Sequence, residues 1–156
     1  MEDIHFLCDD MFQGLARWLR AAGYDAACSP GLPDGALVRW AEREKRLLLT
    51  SDSRMLERRL IRSGRVKTLF IPRGLSNEES LAFVVRTLGL QRREARCMAC
   101  GGRLDTVVKT SVASLVPPIA HRNYDEFFRC ADCGKIYWHG THWASICATL
   151  ERVVRA

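Results

Sequence analysis

Leu47-Leu48-Leu49-Thr50-Ser51-Asp52 is the stretch that decides the fold. Leu47–Thr50 has strand length and an unbroken apolar character. A strand that does not alternate is buried on both faces, which is the habit of a parallel sheet covered by helices. Upstream, Ile4–Cys8 is a similar short run. Met11–Ala22 comes after it with Met11, Leu15, Trp18, Leu19 and Ala22 at helical spacing, and Gly23 stands where a helix ends. Tyr24–Cys28 reads as a second strand and Ser29–Pro33 as a loop. Asp34 is placed to N-cap a helix over Gly35–Glu44 that turns Ala36, Leu37, Trp40 and Ala41 inward. Downstream come a helix over Met55–Ser63, a strand over Thr68–Ile71 and a turn at Pro72-Arg73-Gly74. Ser76 and Glu79 then form a capping box for a helix reaching about Leu88. The β-α-β-α-β-α-β-α order predicts an α/β domain, a small parallel sheet with helices on both faces.

Cys8-Asp9-Asp10-Met11-Phe12, after the first strand, is not a glycine-rich phosphate loop, so a nucleotide fold of that kind is excluded. The strand ends carry acidic residues instead. Sites in parallel sheets lie beyond the carboxyl ends of the strands. Asp9 comes directly after the first strand, Asp52 after the third, and Asp34 opens the helix after the second. Carboxylates gathered at one edge repel unless a cation sits among them. Hard oxygen ligands suit Mg²⁺ or Mn²⁺, which can align water for attack on phosphate. Each residue also has a plainer role: Asp34 and Asp52 as helix caps, Asp9 as a polar strand end. Asp10 neighbours Asp9 and is a weaker candidate. Asp25 lies early in the second strand, away from that edge.

The second half carries Cys97-Met-Ala-Cys100 and Cys130-Ala-Asp-Cys133, each with a glycine next in the chain, Gly101 and Gly134. Two such turns facing each other make a four-thiolate cage suited to structural Zn²⁺, as in a zinc ribbon. Disulfides or a redox pair are the alternatives. The matched pairs, in a chain without secretory features, favour metal. The 29 residues between the pairs exceed usual ribbon spacing, so extra structure is inserted there. Residues 90–96 form a charged linker, and a last helix is expected near Trp143–Val154. The domains divide as 1–92 and 93–156, the second holding the ribbon and the C-terminal helix.

The chain has 156 residues and net charge +6, with 16 Lys/Arg against 13 Asp/Glu in residues 1–94 and 8 against 5 in 95–156. The basicity is thus spread over both halves. It is compatible with a polyanion such as RNA, and equally with plain solubility. No apolar run reaches transmembrane length, and the start Met-Glu-Asp-Ile-His does not read as a signal peptide. With seven cysteines, an odd number, this points to reduced thiols and a cytoplasmic protein with no membrane partner. Arg17 and Arg20, three apart on the first helix, share a face and could reach the acidic site or a substrate phosphate. Arg54, Arg58, Arg59, Arg62 and Arg65 could contact an RNA backbone or line a solvated helix. His142 with Tyr137, Trp138 and Trp143 could stack on bases or pack the ribbon against the first domain. Cys8 and Cys147 lack the setting of a nucleophile.

Phe6-Leu-Cys-Asp9-Asp-Met11-Phe-Gln-Gly14-Leu-Ala-Arg17-Trp18-Leu-Arg20, Gly23-Tyr-Asp25 and Leu47-Leu-Leu-Thr50-Ser-Asp52 are shared with a known family. So are Cys97-x-x-Cys100, Pro117 and Phe128-x-Cys130-x-x-Cys133-Gly-Lys-Ile-Tyr137-Trp138-x-Gly140-x-His142-Trp143. In these the chain resembles the Mut-seven C-terminal RNase domain family over nearly its whole length. The resemblance implies a PIN-like nuclease domain fused to a zinc ribbon. Carried over by position, it implies Asp9, Asp34 and Asp52 as catalytic carboxylates holding Mg²⁺ or Mn²⁺, and RNA as substrate. Many PIN domains add a fourth acidic residue, for which Asp10 is the nearest position here. The family commonly has arginine after Thr50, where this chain has Ser51. The expected function is metal-dependent endoribonuclease, with a non-catalytic RNA-binding or ribosome-associated zinc-ribbon adaptor as the alternative.

Overall fold

The computed structural model describes residues 3–154. Its first part runs β1 (His5–Cys8), α1 (Gln13–Ala21), β2 (Asp25–Cys28), α2 (Asp34–Glu44), β3 (Leu47–Thr50), α3 (Arg59–Arg62), β4 (Thr68–Phe70) and α4 (Asn77–Leu88). The four strands form one parallel sheet in the order β2-β1-β3-β4. Side chains alternate across it. Phe6, Cys8 and Leu49 pack with Leu15, Leu19 and Leu81 of α1 and α4. Leu7 and Leu48 pack on the other face with Leu37, Val38 and Ala41 of α2 and with Met55. Right-handed crossovers require this split: β1 to β2 runs one way along the sheet and β2 to β3 to β4 the other. The reversal falls between β1 and β3, where α/β sheets open a crevice.

Three local expectations are corrected. No continuous helix spans Met55–Ser63: a 3-10 turn at Ser53–Glu57 ends at extended Arg58 (φ −60°, ψ 136°), and α3 is a single turn. Met55 is fully buried, and Leu60 and Ile61 pack on the same side of the sheet. At about 100° per residue, an unbroken helix would carry Leu60 roughly 140° away from Met55; the extended residue restores the phase. The first helix is likewise preceded by a 3-10 turn, Asp10–Phe12, because the Asp9 side chain accepts from the Asp10 amide. Met11 therefore lies half-exposed instead of in line with Leu15. Asp34 is not an N-cap; Pro33 holds that position and Asp34 begins the first turn of α2. The capping box of Ser76 and Glu79 forms as expected.

The charged linker is bound to α1. Leu90 is buried, the Arg93 amide donates to the Ala22 carbonyl, and the Arg96 amide donates to that of Arg20. Gly23 sits under this crossing at φ +99°, where a Cβ would come 2.5 Å from Arg93 Cβ and 2.6 Å from the Glu94 carbonyl oxygen. Gly23→Ala is expected to destabilise the chain by about 3 kcal/mol, combining positive-φ strain with overpacking against backbone. A fall in the urea midpoint at unchanged m-value would show it.

The second part contains β5 (Leu104–Val107), α5 (Pro118–Asn123), β6 (Phe127–Cys130), β7 (Ile136–Trp138) and α6 (Thr141–Val153). The strands form an antiparallel sheet in the order β5-β6-β7. The insertion between the cysteine pairs is a 3-10 turn and α5, built on a small core of Val112, Val116 and Phe127. Helix α6 packs against α4, and its Ile146 and Leu150, with Val154 just beyond, join the core that holds Phe6 and Leu15. Among the described residues no helix is long and apolar enough to cross a membrane.

Candidate active site and metal centre

The reversal point of the sheet is acidic. Asp9 leaves the end of β1 and is almost fully buried. Its Oδ1 accepts from the Asp10 amide at 2.8 Å, and its Oδ2 accepts from the Thr50 hydroxyl at 2.7 Å. The same Thr50 oxygen accepts from the Asp52 amide at 3.0 Å. Thr50, fully buried at the end of β3, thus ties Asp9 to Asp52. Asp52 Oδ1 caps the Arg54 amide at 3.0 Å. The Ser51 hydroxyl points away, donating to the Ile71 carbonyl at 2.6 Å. Asp34 stands apart: it is 3.6 Å from Arg58 Nη2 and well exposed. The three carboxylates do not converge as tightly as the cysteines do; among the described residues only the four thiols place their ligand atoms within 4.8 Å of one another. Asp10 accepts from the Gly31 amide at 3.1 Å. Asp25 is at the opposite edge, bonded to Arg46 and His5. Burial opposes its ionisation, but those hydrogen bonds outweigh burial and hold its carboxyl below the usual range.

The two arginines of α1 separate. Arg17 is exposed, whereas Arg20 is buried. Arg20 corrects the expectation of a substrate contact: its Nε donates to the Ala26 carbonyl at 2.7 Å, and its Nη1 to the carbonyls of Met98 and Ala99 at 2.9 and 3.2 Å. Met98 and Ala99 are the middle of the first cysteine turn, so Arg20 fastens that turn to the parallel-sheet domain. A face shared at spacing three does not give equal exposure, because Arg20 lies one turn further under the second half.

Cys97, Cys100, Cys130 and Cys133 converge. The Sγ separations of 3.7 Å for Cys97 and Cys133 and 3.4 Å for Cys100 and Cys130 are far beyond a disulfide of about 2.05 Å. They are close to the edge of about 3.8 Å of a tetrahedron with Zn–S bonds of about 2.3 Å. The four thiols are therefore arranged to hold a metal ion such as zinc. Burial opposes ionisation of Cys97, but hydrogen bonds from the Tyr137 hydroxyl and the turn's amides prevail and lower its thiol to about 6. Gly102 is obligatory beside the cage, since a Cβ there would lie 2.6 Å from Cys130 Sγ. By contrast, burial pushes the Cys8 thiol up, so it is no nucleophile.

Residues beyond the expected set complete both sites. Thr50 was visible only as part of a shared string; its bridging role depends on β1 and β3 being neighbours. Arg73, after β4, donates from Nε to the carbonyl of Ser51, the residue before Asp52, at 3.0 Å. Tyr137 places its hydroxyl 3.0 Å from Cys97 Sγ and accepts from the Ala99 amide. Tyr137→Phe is expected to weaken zinc binding by about 10–100-fold, the usual effect of losing a partner that orients a ligand. Competition with a chromophoric chelator measures it.

Comparison with curated proteins and with solved structures finds no match. A family model described as the Mut7-C RNAse domain matches residues 4–150, which takes in the acidic edge, the linker, both cysteine turns and most of α6. The chain thus belongs to the Mut7-C RNAse domain family.

Proposed function

We propose that the chain is a metal-dependent endoribonuclease that hydrolyses RNA phosphodiester bonds at the edge formed by Asp9 and Asp52. The observation that carries this reading is the Thr50 hydroxyl bridging the Asp9 carboxylate and the Asp52 backbone amide at the reversal point of the sheet, in a family named for RNase activity. The residues suit Mg²⁺ or Mn²⁺. Asp9 accepts one hydrogen bond at each oxygen, and each carboxylate oxygen has a further lone pair. Asp52 uses only Oδ1 among the described residues. Mg²⁺ commonly takes one or two carboxylates and fills its shell with water and substrate phosphate. Bound there, the ion would supply charge neutralisation and a more acidic water. Thr50 holds Asp9 and the start of the Asp52 turn in fixed relation. Asp34, which stands apart, would join as a ligand only by leaving Arg58, and Arg58 and Arg73 are donors for the phosphate. The four cysteines hold structural Zn²⁺, and RNA is the partner of the basic surface.

A non-catalytic RNA-binding adaptor is the second reading, favoured by one observation. Each carboxylate already has a role within the chain: Asp9 and Asp52 cap turns and Asp34 faces Arg58. Labelled RNA incubated with Mg²⁺ or Mn²⁺ separates the two. Cleavage by the natural chain that vanishes in Asp52→Asn supports the nuclease. RNA binding without cleavage supports the adaptor, and equal cleavage by both proteins marks a contaminant.

A further inference from the structure

Between the ribbon and the parallel-sheet domain lies a groove of about 790 Å³, within the size range of ligand sites. Three of its rings form a column: His139 stacks on Phe128 at 4.9 Å and on Trp143 at 5.7 Å. Tyr124 and Trp138 also line it, and Ile119 exposes 65% of its surface at its rim. Glu94 is its one carboxylate among the described residues. Arg92, Arg93 and Arg96 contribute to its walls but are engaged with Glu151, Asp3 and the Gly101 carbonyl. Arg17 and Lys135 are exposed there and not ion-paired among the described residues. Stackable rings in a cationic groove are the chemistry that holds unpaired nucleotides.

A second hollow leads from the groove toward the acidic edge. Arg17 and Lys135 also line this hollow of about 290 Å³, which extends past Gln13 to Cys28 and Pro30. Cys28 Sγ lies 4.0 Å from the Asp9 carbonyl oxygen, and the next loop residue, Gly31, is bonded to Asp10. A strand whose phosphate sits at Asp9 and Asp52 can thus run along this hollow, pass the two cations and enter the groove.

We propose that the groove binds the bases of an unpaired RNA segment flanking the scissile bond, with Arg17 and Lys135 on the phosphates between. The ligand's identity rests on the nuclease reading; the groove, its rings and its cations do not. The segment must be single-stranded, because a duplex keeps its base faces stacked inside and cannot present them to the rings that end the column, Phe128 and Trp143.

The test uses the full zinc-loaded chain carrying Asp52→Asn, with a fluorescein-labelled single-stranded RNA and the duplex of the same sequence. Zinc content and circular dichroism verify folding of every variant. The duplex should bind at least about tenfold more weakly than the single strand, and Trp143→Ala, at one end of the column, should cost about tenfold through lost stacking. Arg17→Glu with Lys135→Glu should also cost at least about tenfold and lower the salt slope by about 2. RNA bearing 4-thiouridine should photocrosslink within residues 119–143. Undiminished affinity in both folded variants, equal duplex binding, or crosslinks wholly outside that segment would overturn the proposal. Its failure is separable from that of the nuclease. Groove crosslinks without cleavage by the natural chain leave the groove standing and sink the nuclease. Asp52-dependent cleavage and binding that groove variants leave unchanged sink the groove alone.

Discussion

Cys130→Ser is expected to release the bound zinc and unfold the ribbon from Cys97 to Trp138 while the parallel-sheet domain stays folded. The ribbon's own core is three buried residues, Val112, Val116 and Phe127. A module that small does not bury enough apolar surface to offset its chain entropy. Structural Zn²⁺ contributes about 10–16 kcal/mol of apparent binding free energy in comparable small sites, more than such a core supplies. Serine is a poor replacement because its hydroxyl stays protonated, leaving the metal three thiolates and a neutral oxygen. Helix α6 should persist, since Ile146 and Leu150 are anchored in the core of Phe6 and Leu15. Arg20, deprived of the Met98 and Ala99 carbonyls, should lose its ordered partners but not its bond to Ala26. Hydrogen exchange with metal analysis checks all of this. One stoichiometric zinc and full ribbon protection in the serine variant would show that the four cysteines are not the cage.

On the nuclease reading, Asp9→Asn is expected to lower the RNA cleavage rate by about 10³-fold or more, because losing a carboxylate that holds the charge-neutralising ion forfeits several kcal/mol and each 1.36 kcal/mol is tenfold. The carboxamide is close in shape, but its NH₂ cannot accept. It must face either the Asp10 amide or the Thr50 hydroxyl, both of which donate to Asp9. A stability loss of about 1–3 kcal/mol should accompany the loss of activity, as for a buried donor left unpaired. Asp52→Asn gives the cleaner comparison: its side chain is partly exposed and, among the described residues, caps only Arg54. The two variants should therefore be alike in activity and unlike in urea midpoint. Activity in Asp9→Asn within a few-fold of the natural chain, measured on folded protein, would remove Asp9 from the chemistry.

Elements whose pattern is local were legible in the sequence by itself. The unbroken apolar run Leu47–Leu49 required a strand covered on both faces, and β3 pairs with β1 and β4 with helices on each side. Ser76 and Glu79 carry a capping box within four residues, and it formed. The Cys-x-x-Cys spacing makes each turn locally, and the two turns meet as their matched chemistry led one to expect. Expectations failed where a long-range contact overrode a local preference. Full burial of Met55 broke the expected third helix. The expected entry to α1 failed instead for a local reason, the Asp9 side chain capping the adjacent Asp10 amide. Arg17 and Arg20 have the same local signature. Only the seat of the first cysteine turn over α1 makes one a buried clamp and leaves the other open to solvent. Likewise, sequence placed Asp9, Asp34 and Asp52 after successive strands. Strand order decided that Asp9 and Asp52 meet over Thr50, because β1 and β3 are hydrogen-bonded neighbours, while Asp34 faces Arg58. Of the aromatic groove the sequence offered the cluster Tyr137, Trp138, His142 and Trp143, but not the groove itself, for its other walls come from segments far apart in the chain that touch only once the ribbon is docked.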